Sequence, residues 1–184
     1  MEPYAERTHV KMQEVLMSPE ASGPRVHYHM IRGGTAKTNI TVWESGTIDT
    51  EYIKSYGHYH VGDLEETYTV IQGEGIIILQ SPLEDENSLT SFRAIRVKTG
   101  DTVHIPRSTG HLAVNIGKTW FVTSDDSPVN FTDADPAGLP GHADYEPFKK
   151  MRGAGYYIIE KDGQPALVKN PLYGNIPSAI IETL

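Results

Sequence analysis

The sequence predicts an all-β fold, a small antiparallel sandwich or barrel with short peripheral helices. Short runs rich in β-branched and aromatic residues recur along the chain, and residues that favour turns separate them at fairly regular intervals. Helical periodicity is scarce by comparison, and the sequence has no repeat of the length found in solenoids or propellers. These observations favour one domain, built mainly from strands, that spans residues 1–184.

Ten segments carry the residues that favour strands. In chain order, the predicted strands are 26–31, 39–44, 51–56, 66–72, 75–80, 92–97, 101–106, 120–124, 156–160 and 165–168. The last two are joined through Asp162-Gly163, a step that favours a tight hairpin. Short helices are expected at 10–16 and at 145–151. Residues 124–140 are rich in acidic and turn-forming residues and predict one long surface loop, a kind of loop that is usually functional or mobile.

Composition restricts the function classes. The chain of 184 residues carries 16 Lys and Arg against 24 Asp and Glu, which gives a formal charge of −8. This acidic balance argues against nucleic acid as the main partner, because no basic stripe is present to neutralise a phosphate backbone. No apolar run is long enough to span a membrane, and the amino terminus lacks the pattern of a secretory signal, so we expect a cytoplasmic protein. Without cysteine, any metal must be held by histidine and carboxylate.

The strongest chemical signal lies between residues 57 and 73. His58 and His60 are two residues apart, and on a strand such side chains point to the same face of the sheet. A carboxylate from the next strand would add a third ligand, and both Glu65 and Glu66 are candidates. Glu66 is favoured because it stands at a fixed distance before the turn at Gly73. The segment therefore indicates part of a metal site.

A second block follows about one hairpin later, and it contains Gly100, Pro106, His111 and Asn115. His111 is the natural fourth ligand. Three neutral imidazoles and one carboxylate suit Fe, Mn, Ni, Zn or Co better than they suit calcium. A His-x-His pair alone is more often structural than metal-binding, so the hypothesis depends on the agreement of both blocks. Spacing gives no ligand role to the remaining histidines, which are His9, His27, His29, His104 and His142.

The two blocks resemble the two motifs of the cupin superfamily, whose fold is a small jelly-roll-like antiparallel barrel with a metal in its mouth. The long gap between His60 and Glu66 is similar to that of one branch, the cupin-type glucose-6-phosphate isomerases of archaea and some bacteria. This resemblance covers about residues 24–172, which we expect to be the core of the single cupin domain. It includes the segment from Gly141 to Tyr145.

The resemblance implies a metal-dependent isomerase of glycolysis and gluconeogenesis that interconverts glucose 6-phosphate and fructose 6-phosphate. It implies a divalent metal, iron above all, on His58, His60, Glu66 and His111. Glu66 would move a proton between C2 and C1 of the sugar, with a hydride shift as the rival chemistry. Help with ring opening or hydrogen bonds to sugar hydroxyls would come from His142 and Tyr145. The phosphate would be held by Thr41, Ser55 and Gly57.

Two further hypotheses stay open, and one departure from the family's pattern motivates the first. Where the family usually has a Tyr-Pro pair in the substrate pocket, this chain reads Ser124-Asp125-Asp126-Ser127-Pro128. An isomerase or epimerase for another sugar phosphate is therefore an alternative. A metal cupin that binds a sugar or acts as a dioxygenase is the other. We also expect a homodimer, because small cupins commonly pair through an edge strand.

Overall fold

The computed structural model describes residue 3 and residues 5–32, 39–83, 87–127 and 143–184. The strands are β1 (Ala5–Thr8), β2 (Val26–Arg32), β3 (Asn39–Trp43), β4 (Thr47–Ile48), β5 (Glu51–Tyr52), β6 (Tyr59–His60), β7 (Glu66–Gln72), β8 (Glu74–Pro82), β9 (Leu89–Lys98), β10 (Thr102–Ile105), β11 (Gly110–Asn115), β12 (Phe121–Asp125), β13 (Ala143–Asp144), β14 (Tyr156–Lys161), β15 (Gln164–Lys169) and β16 (Ile181–Thr183). The helical elements are α1 (His9–Met12), a 3-10 turn (Gln13–Val15) and α2 (Glu146–Lys150). None of the helices in this part of the chain has the length and hydrophobicity needed to cross a membrane.

Two sheets form the body of the fold. The first has the strand order β1-β2-β3-β12-β7-β10, and the second has the order β11-β8-β9-β16. Their paired strands are antiparallel, except that β16 runs parallel to β9. A sheet of order β15-β14-β5-β4 and the short pair β13-β6 flank them. Strands far apart in sequence thus become neighbours, and the predicted all-β class, jelly-roll-like with short peripheral helices, is confirmed.

Aromatic packing sets the distance between the two main sheets. Tyr28, Trp43 and Phe121 lie on the inner face of the first sheet, and successive ring centroids are 6.0 and 5.3 Å apart. From the second sheet Gly75 faces Phe121, where a Cβ atom would lie 2.5 Å from the ring. Glycine at this position allows close approach of the sheets, and any larger residue would push them apart.

A buried ion pair fastens the N-terminal segment to the flanking sheet. The side-chain ammonium of Lys54 donates to a carboxylate oxygen of Glu51 and to the backbone carbonyl of Val15, the latter at 2.6 Å. The other carboxylate oxygen of Glu51 accepts from the backbone N–H of Met17 at 2.8 Å. Lys54 is 3% exposed and Glu51 is 1% exposed, so both are buried. We call these two residues the Glu51–Lys54 pair.

Strand ends differ from the predictions where pairing decides them. The strand predicted at 92–97 extends over β9, whereas the segment predicted at 51–56 forms β5 and a single bridge at Lys54. The terminal strands β1 and β16 are not among the predicted strands. Each is short, and each pairs with the edge of a sheet formed by other strands. Most of the predicted 124–140 loop, residues 128–140, lies outside the described residues.

Candidate metal centre

The structure brings together the four side chains that the sequence predicts as metal ligands. One potential ligand atom from each of His58, His60, Glu66 and His111 lies within 4.8 Å of all the others. A Glu66 carboxylate oxygen lies 2.7 Å from Nε2 of His60 and 3.6 Å from Nε2 of His111. The ring centroids of His58 and His111 are 4.3 Å apart. We call these four side chains the His3Glu cluster, and their binding of a metal stays a prediction.

Backbone pairing explains why the cluster forms. The N–H of His58 donates to the carbonyl of His111 at 3.2 Å, and the N–H of His111 donates back at 3.0 Å. The two imidazoles therefore start from directly opposed positions. His60 follows two residues later in β6, and Glu66 begins β7, where its pattern of alternating burial turns it inward. Gly57 precedes the cluster with a φ of 85°, a left-handed conformation that favours glycine.

Burial sets the protonation of the cluster before any metal is considered. Desolvation lowers the pKa of His111 to about 3, and burial, followed by the neighbouring His111 and His60, also lowers the pKa of His58. Burial raises the pKa of Glu66 to about 7. The imidazoles of His58 and His111 are thus neutral near pH 7 and keep lone pairs that can bind a cation.

The donor atoms of the cluster fit a divalent cation. Nδ1 of His111 lies 3.4 Å from the Thr109 carbonyl and can donate to it, which leaves the lone pair on Nε2. That Nε2 atom is buried and makes no hydrogen bond among the described residues. Nδ1 of His60 is likewise buried without a hydrogen-bond partner there. A buried polar atom without a partner costs about 1–3 kcal/mol. A bound first-row metal would satisfy Nε2 of His111, so the donor set is compatible with one.

The two glutamates that compete for the carboxylate role occupy different environments. Glu65 is largely exposed and accepts a hydrogen bond from Nε of Arg107 at 2.9 Å. Its carboxylate also lies 3.8 Å from Nε2 of His104. Glu66 is 4% exposed and lies in the His3Glu cluster. The geometry therefore selects Glu66 as the candidate ligand and places Glu65 in a surface ion pair.

The residues predicted to bind phosphate lie on β3 and in the connection between β5 and β6. Ser55 accepts a hydrogen bond from the backbone N–H of Ala113 at 2.9 Å, so its hydroxyl oxygen is oriented by β11. Thr41 lies in β3 and is paired with Thr123 of β12. Gly57 directly precedes the first histidine of the cluster. Among the described residues, no hydrogen bond connects Thr41 with residues 55–57. Phosphate binding by Thr41, Ser55 and Gly57 stays a prediction.

Of the two residues assigned to sugar handling, the structure describes one. The ring of Tyr145 lies 5.4 Å from the ring of His58 and 5.5 Å from the ring of Tyr56, measured between centroids. Tyr145 is thus beside the His3Glu cluster. His142 lies outside the described residues.

Sequence reasoning missed three buried groups near the cluster. The ring of Tyr68 lies 5.7 Å from that of His111, and burial keeps the pKa of its phenol well above the usual range. Asp125 is 8% exposed, and its carboxylate accepts from the side-chain amide of Asn39 at 2.7 Å. Tyr68 could have been found from the sequence, because it shares a strand face with Glu66. The third group is Arg7 of β1, which is 5% exposed and whose guanidinium carbon lies 5.4 Å from the ring centroid of Tyr145. No sequence signal pointed to it, because β1 was not among the predicted strands.

A separate cavity of about 490 Å³ touches the cluster at one residue. His60 lines it together with Tyr59, Asp144, Lys150 and Tyr173, among others. His58, Glu66 and His111 do not line this cavity. The cavity therefore lies beside the His3Glu cluster and does not enclose it.

Comparison with known proteins identifies the family of the chain. Residues 25–171 match the model of a family described as glucose-6-phosphate isomerase (GPI). No curated protein matches the chain. Among solved structures, a Drosophila melanogaster CENP-C cupin domain is 14% identical, with a TM-score of 0.41 over 63% of this chain and 81% of that one. CapF, a capsular polysaccharide assembling protein of Staphylococcus aureus, is 20% identical, with a TM-score of 0.46 over 66% of this chain and 30% of that one. An oxalate oxidase is 20% identical, with a TM-score of 0.42 over 58% and 53% of the two chains.

Proposed function

The chain belongs to the glucose-6-phosphate isomerase (GPI) family, and from this premise we propose that it is a metal-dependent aldose–ketose isomerase that interconverts glucose 6-phosphate and fructose 6-phosphate. The observation that carries the proposal is the His3Glu cluster, in which buried imidazoles and a carboxylate converge and leave ring nitrogens without hydrogen-bond partners. Such a site is suited to chemistry in which negative charge develops on substrate oxygens.

The isomerisation requires a base near the C–H bond and positive charge near the C1 and C2 oxygens. A divalent metal on His58, His60, Glu66 and His111 would supply that charge as a Lewis acid. Glu66 is the candidate base, because its carboxylate is the acidic group of the cluster and is enclosed by the two sheets. In this proposal Glu66 takes the proton from C2 and returns it to C1.

The remaining roles concern substrate orientation. Tyr145 lies beside His58 and would donate a hydrogen bond to a sugar hydroxyl, with His142 as its proposed partner in ring opening. Thr41, Ser55 and the N–H of Gly57 would donate to phosphate oxygens. We further propose a cytoplasmic homodimer with iron as the physiological metal. Sedimentation of the purified protein tests the dimer, and metal analysis of protein from unsupplemented cells tests the iron.

A different sugar phosphate is the second candidate substrate, and the residues after β12 favour considering it. Where the family usually has a Tyr-Pro pair, the chain reads Ser124-Asp125-Asp126-Ser127-Pro128 and has no tyrosine. Asp125 is buried on the inner face, whereas Asp126 accepts from the backbone N–H of Thr67 at 2.7 Å. Loss of the phenol changes which hydroxyls of the sugar can be bound, because a phenol both donates and accepts hydrogen bonds.

The test is an activity assay of metal-reconstituted protein. Protein loaded separately with Fe²⁺, Mn²⁺, Zn²⁺, Ni²⁺ or Co²⁺ is assayed with glucose 6-phosphate and with a panel of other hexose and pentose phosphates. We expect isomerisation of glucose 6-phosphate with at least one metal and none in metal-free protein. Activity confined to another sugar phosphate would select the second candidate, and oxygen uptake without isomerisation would overturn both.

The isomerase reaction run in deuterium oxide tests Glu66 as the proton carrier. We expect deuterium from solvent in the product, because a carboxylic acid exchanges its proton with water between transfers. Product without any deuterium would instead indicate a hydride shift between C1 and C2.

A further inference from the structure

Arg7 is a buried charged residue that the proposed function does not use. It lies on β1, opposite Tyr28 of β2, and is 5% exposed. Charged side chains are rarely buried this far unless they are paired, because desolvation is costly. The strand that carries Arg7 precedes residues 25–171, the part of the chain that matches the family. Similarity to the family therefore gives Arg7 no role.

Tyr28 connects Arg7 to the segment proposed to hold the phosphate. Arg7 and Tyr28 are directly opposite each other in the β1–β2 pair, so their side chains share one face of the sheet. The Tyr28 hydroxyl accepts a hydrogen bond from the backbone N–H of Tyr56 at 3.3 Å. Tyr56 stands between Ser55 and Gly57 in the chain. Tyr28, the strand partner of Arg7, is thus bonded directly to the backbone of the segment that would bind phosphate.

A second contact places Arg7 near the metal cluster. The guanidinium carbon of Arg7 lies 5.4 Å from the ring centroid of Tyr145. The ring of Tyr145 is in turn 5.4 Å from the ring of His58. Arg7 therefore contacts both the side of the site that holds the 55–57 segment and the side that holds the His3Glu cluster.

We propose that Arg7 binds the phosphate group of the sugar-phosphate substrate, together with the hydroxyl of Tyr28. This inference rests on the proposed function, since it needs a phosphorylated substrate. A guanidinium is planar and offers several N–H donors that fit phosphate oxygens in pairs. Thr41, Ser55 and Gly57 would contribute uncharged donors, and Arg7 would contribute the positive charge that balances the phosphate. Burial strengthens that interaction, because solvent screens it less.

The competing explanation is that Arg7 only docks β1 against Tyr28 and Tyr145. A docking residue affects folding and leaves the affinity of the folded protein for phosphate unchanged. A phosphate-binding residue affects that affinity directly. Measurements of anion affinity on folded protein therefore separate the two roles.

The experiment compares Arg7→Gln and Arg7→Lys with the unaltered, metal-loaded protein. Calorimetry gives the dissociation constant of inorganic phosphate, and steady-state kinetics give KM and kcat for glucose 6-phosphate. For Arg7→Gln we expect about a 10- to 100-fold weaker phosphate affinity, the range of a hydrogen bond to a charged group, with a similar rise in KM. We expect kcat to change by less than about threefold, because the phosphate is distant from C1 and C2. Arg7→Lys keeps the charge and loses the planar fork, so its effect should be intermediate.

The matched control is Arg25→Gln, which removes the same charge from the surface. The Arg25 side chain is 82% exposed and lies 3.7 Å from Glu6, the neighbour of Arg7 in β1. We expect this variant to leave the phosphate dissociation constant, KM and kcat unchanged. Folded Arg7→Gln protein with unaltered phosphate affinity and KM would overturn the inference. So would a fall in kcat alone, which would place Arg7 at the reacting end of the sugar.

A measurement on the unaltered protein covers the case in which Arg7→Gln does not fold. The Nε–Hε resonance of Arg7 is followed by NMR in ¹⁵N-labelled protein during a titration with inorganic phosphate. We expect a saturable shift of this resonance that gives the calorimetric dissociation constant, with no shift at Arg25. A resonance that does not respond at saturating phosphate would overturn the inference.

The two proposals fail in different ways. The protein could be inactive on every sugar phosphate tested and still bind phosphate in a way that depends on Arg7. That result would overturn the isomerase proposal and support the anion site. If Arg7→Gln keeps isomerase activity with an unchanged KM, the isomerase proposal is supported and the proposed role of Arg7 is overturned.

Discussion

Two buried polar groups in this protein look alike in composition and differ in how their atoms are satisfied. The Glu51–Lys54 pair and the His3Glu cluster both enclose a carboxylate together with basic side chains. In the pair, Lys54 donates to Glu51 and to the Val15 carbonyl, and Glu51 also accepts from Met17. In the cluster, Nδ1 of His60 and Nε2 of His111 find no hydrogen-bond partner among the described residues.

The difference separates a structural group from a functional one. A buried polar atom normally has a partner, since leaving it without one destabilises the fold. The Glu51–Lys54 pair obeys this rule and joins the N-terminal segment to the flanking sheet. The His3Glu cluster violates it at two nitrogen atoms. One potential ligand atom from each of its four side chains also lies within 4.8 Å of all the others, which is why the cluster is the candidate site.

The strongest way to break this comparison is to remove one member of the cluster. In His60→Ala we expect loss of bound metal and about a 1,000-fold fall in isomerase activity, because Lewis-acid stabilisation is worth several kcal/mol. Metal analysis and kinetics after reconstitution measure both. His104→Ala is the control, since the His104 side chain is 57% exposed. A His60→Ala protein with its full metal content would show that the cluster is structural after all.

Removal of the structural ammonium group should affect stability and leave chemistry intact. Lys54→Met leaves the Glu51 carboxylate buried without its partner, so we expect a loss of about 3–5 kcal/mol in the free energy of unfolding. Denaturation by urea measures it, and metal content per folded molecule should not change. The exposed Lys98→Met is the control. Metal loss in folded Lys54→Met protein would mean that the two groups are coupled.

The dependence of the unfolding free energy on pH tests His27, a buried histidine that senses the charge of Lys54 in the Glu51–Lys54 pair. Burial, the neighbouring His9 and the charge of Lys54 lower the pKa of His27 from its ordinary value of 6.5 to about 4. Between about pH 6.5 and 4 the unfolded chain binds a proton at His27, whereas His27 of the folded protein stays neutral. Stability therefore falls as the pH drops from about 6.5 to about 4, by up to about 3 kcal/mol.

Unfolding free energies of wild type and His27→Gln, measured by urea denaturation across this range, isolate the contribution of His27 from that of the cluster histidines. We expect the curve of the variant to be flatter than that of the wild type between pH 6.5 and 4, and His104→Gln to follow the wild type. Parallel curves for wild type and His27→Gln would contradict the depressed pKa.

The smallest expected effect concerns Thr41, which belongs neither to the Glu51–Lys54 pair nor to the His3Glu cluster. Thr41→Ala removes one hydroxyl proposed to donate to the phosphate, so we expect KM for glucose 6-phosphate to rise about tenfold, with kcat nearly unchanged. The control is Thr102→Ala, an exposed threonine on β10. An unchanged KM for Thr41→Ala would exclude Thr41 from the phosphate site. The proposed roles of Arg7 and the 55–57 segment would then have to stand without it.

Local patterns account for what the sequence predicted well. Alternating burial within strands and turn residues between them are properties of neighbouring residues, and they predicted the all-β class and most strands. The two-residue period of a strand placed His58 and His60 on one face, and the fixed distance to the turn at Gly73 favoured Glu66 over Glu65. The ends of β5 and the existence of β1 and β16 depended on partner strands far away in the chain, so no local pattern could specify them.

What the sequence by itself determined is the inventory of the site: two histidine blocks, a carboxylate and no cysteine, set in short strands. The tertiary structure alone decided which atoms meet, because the pairing of His58 with His111 and of Arg7 with Tyr28 joins segments far apart in the sequence. It also decided which buried groups are satisfied, since a hydrogen-bond partner is a property of position in space. That is why the Glu51–Lys54 pair and the His3Glu cluster could be told apart only in the folded chain.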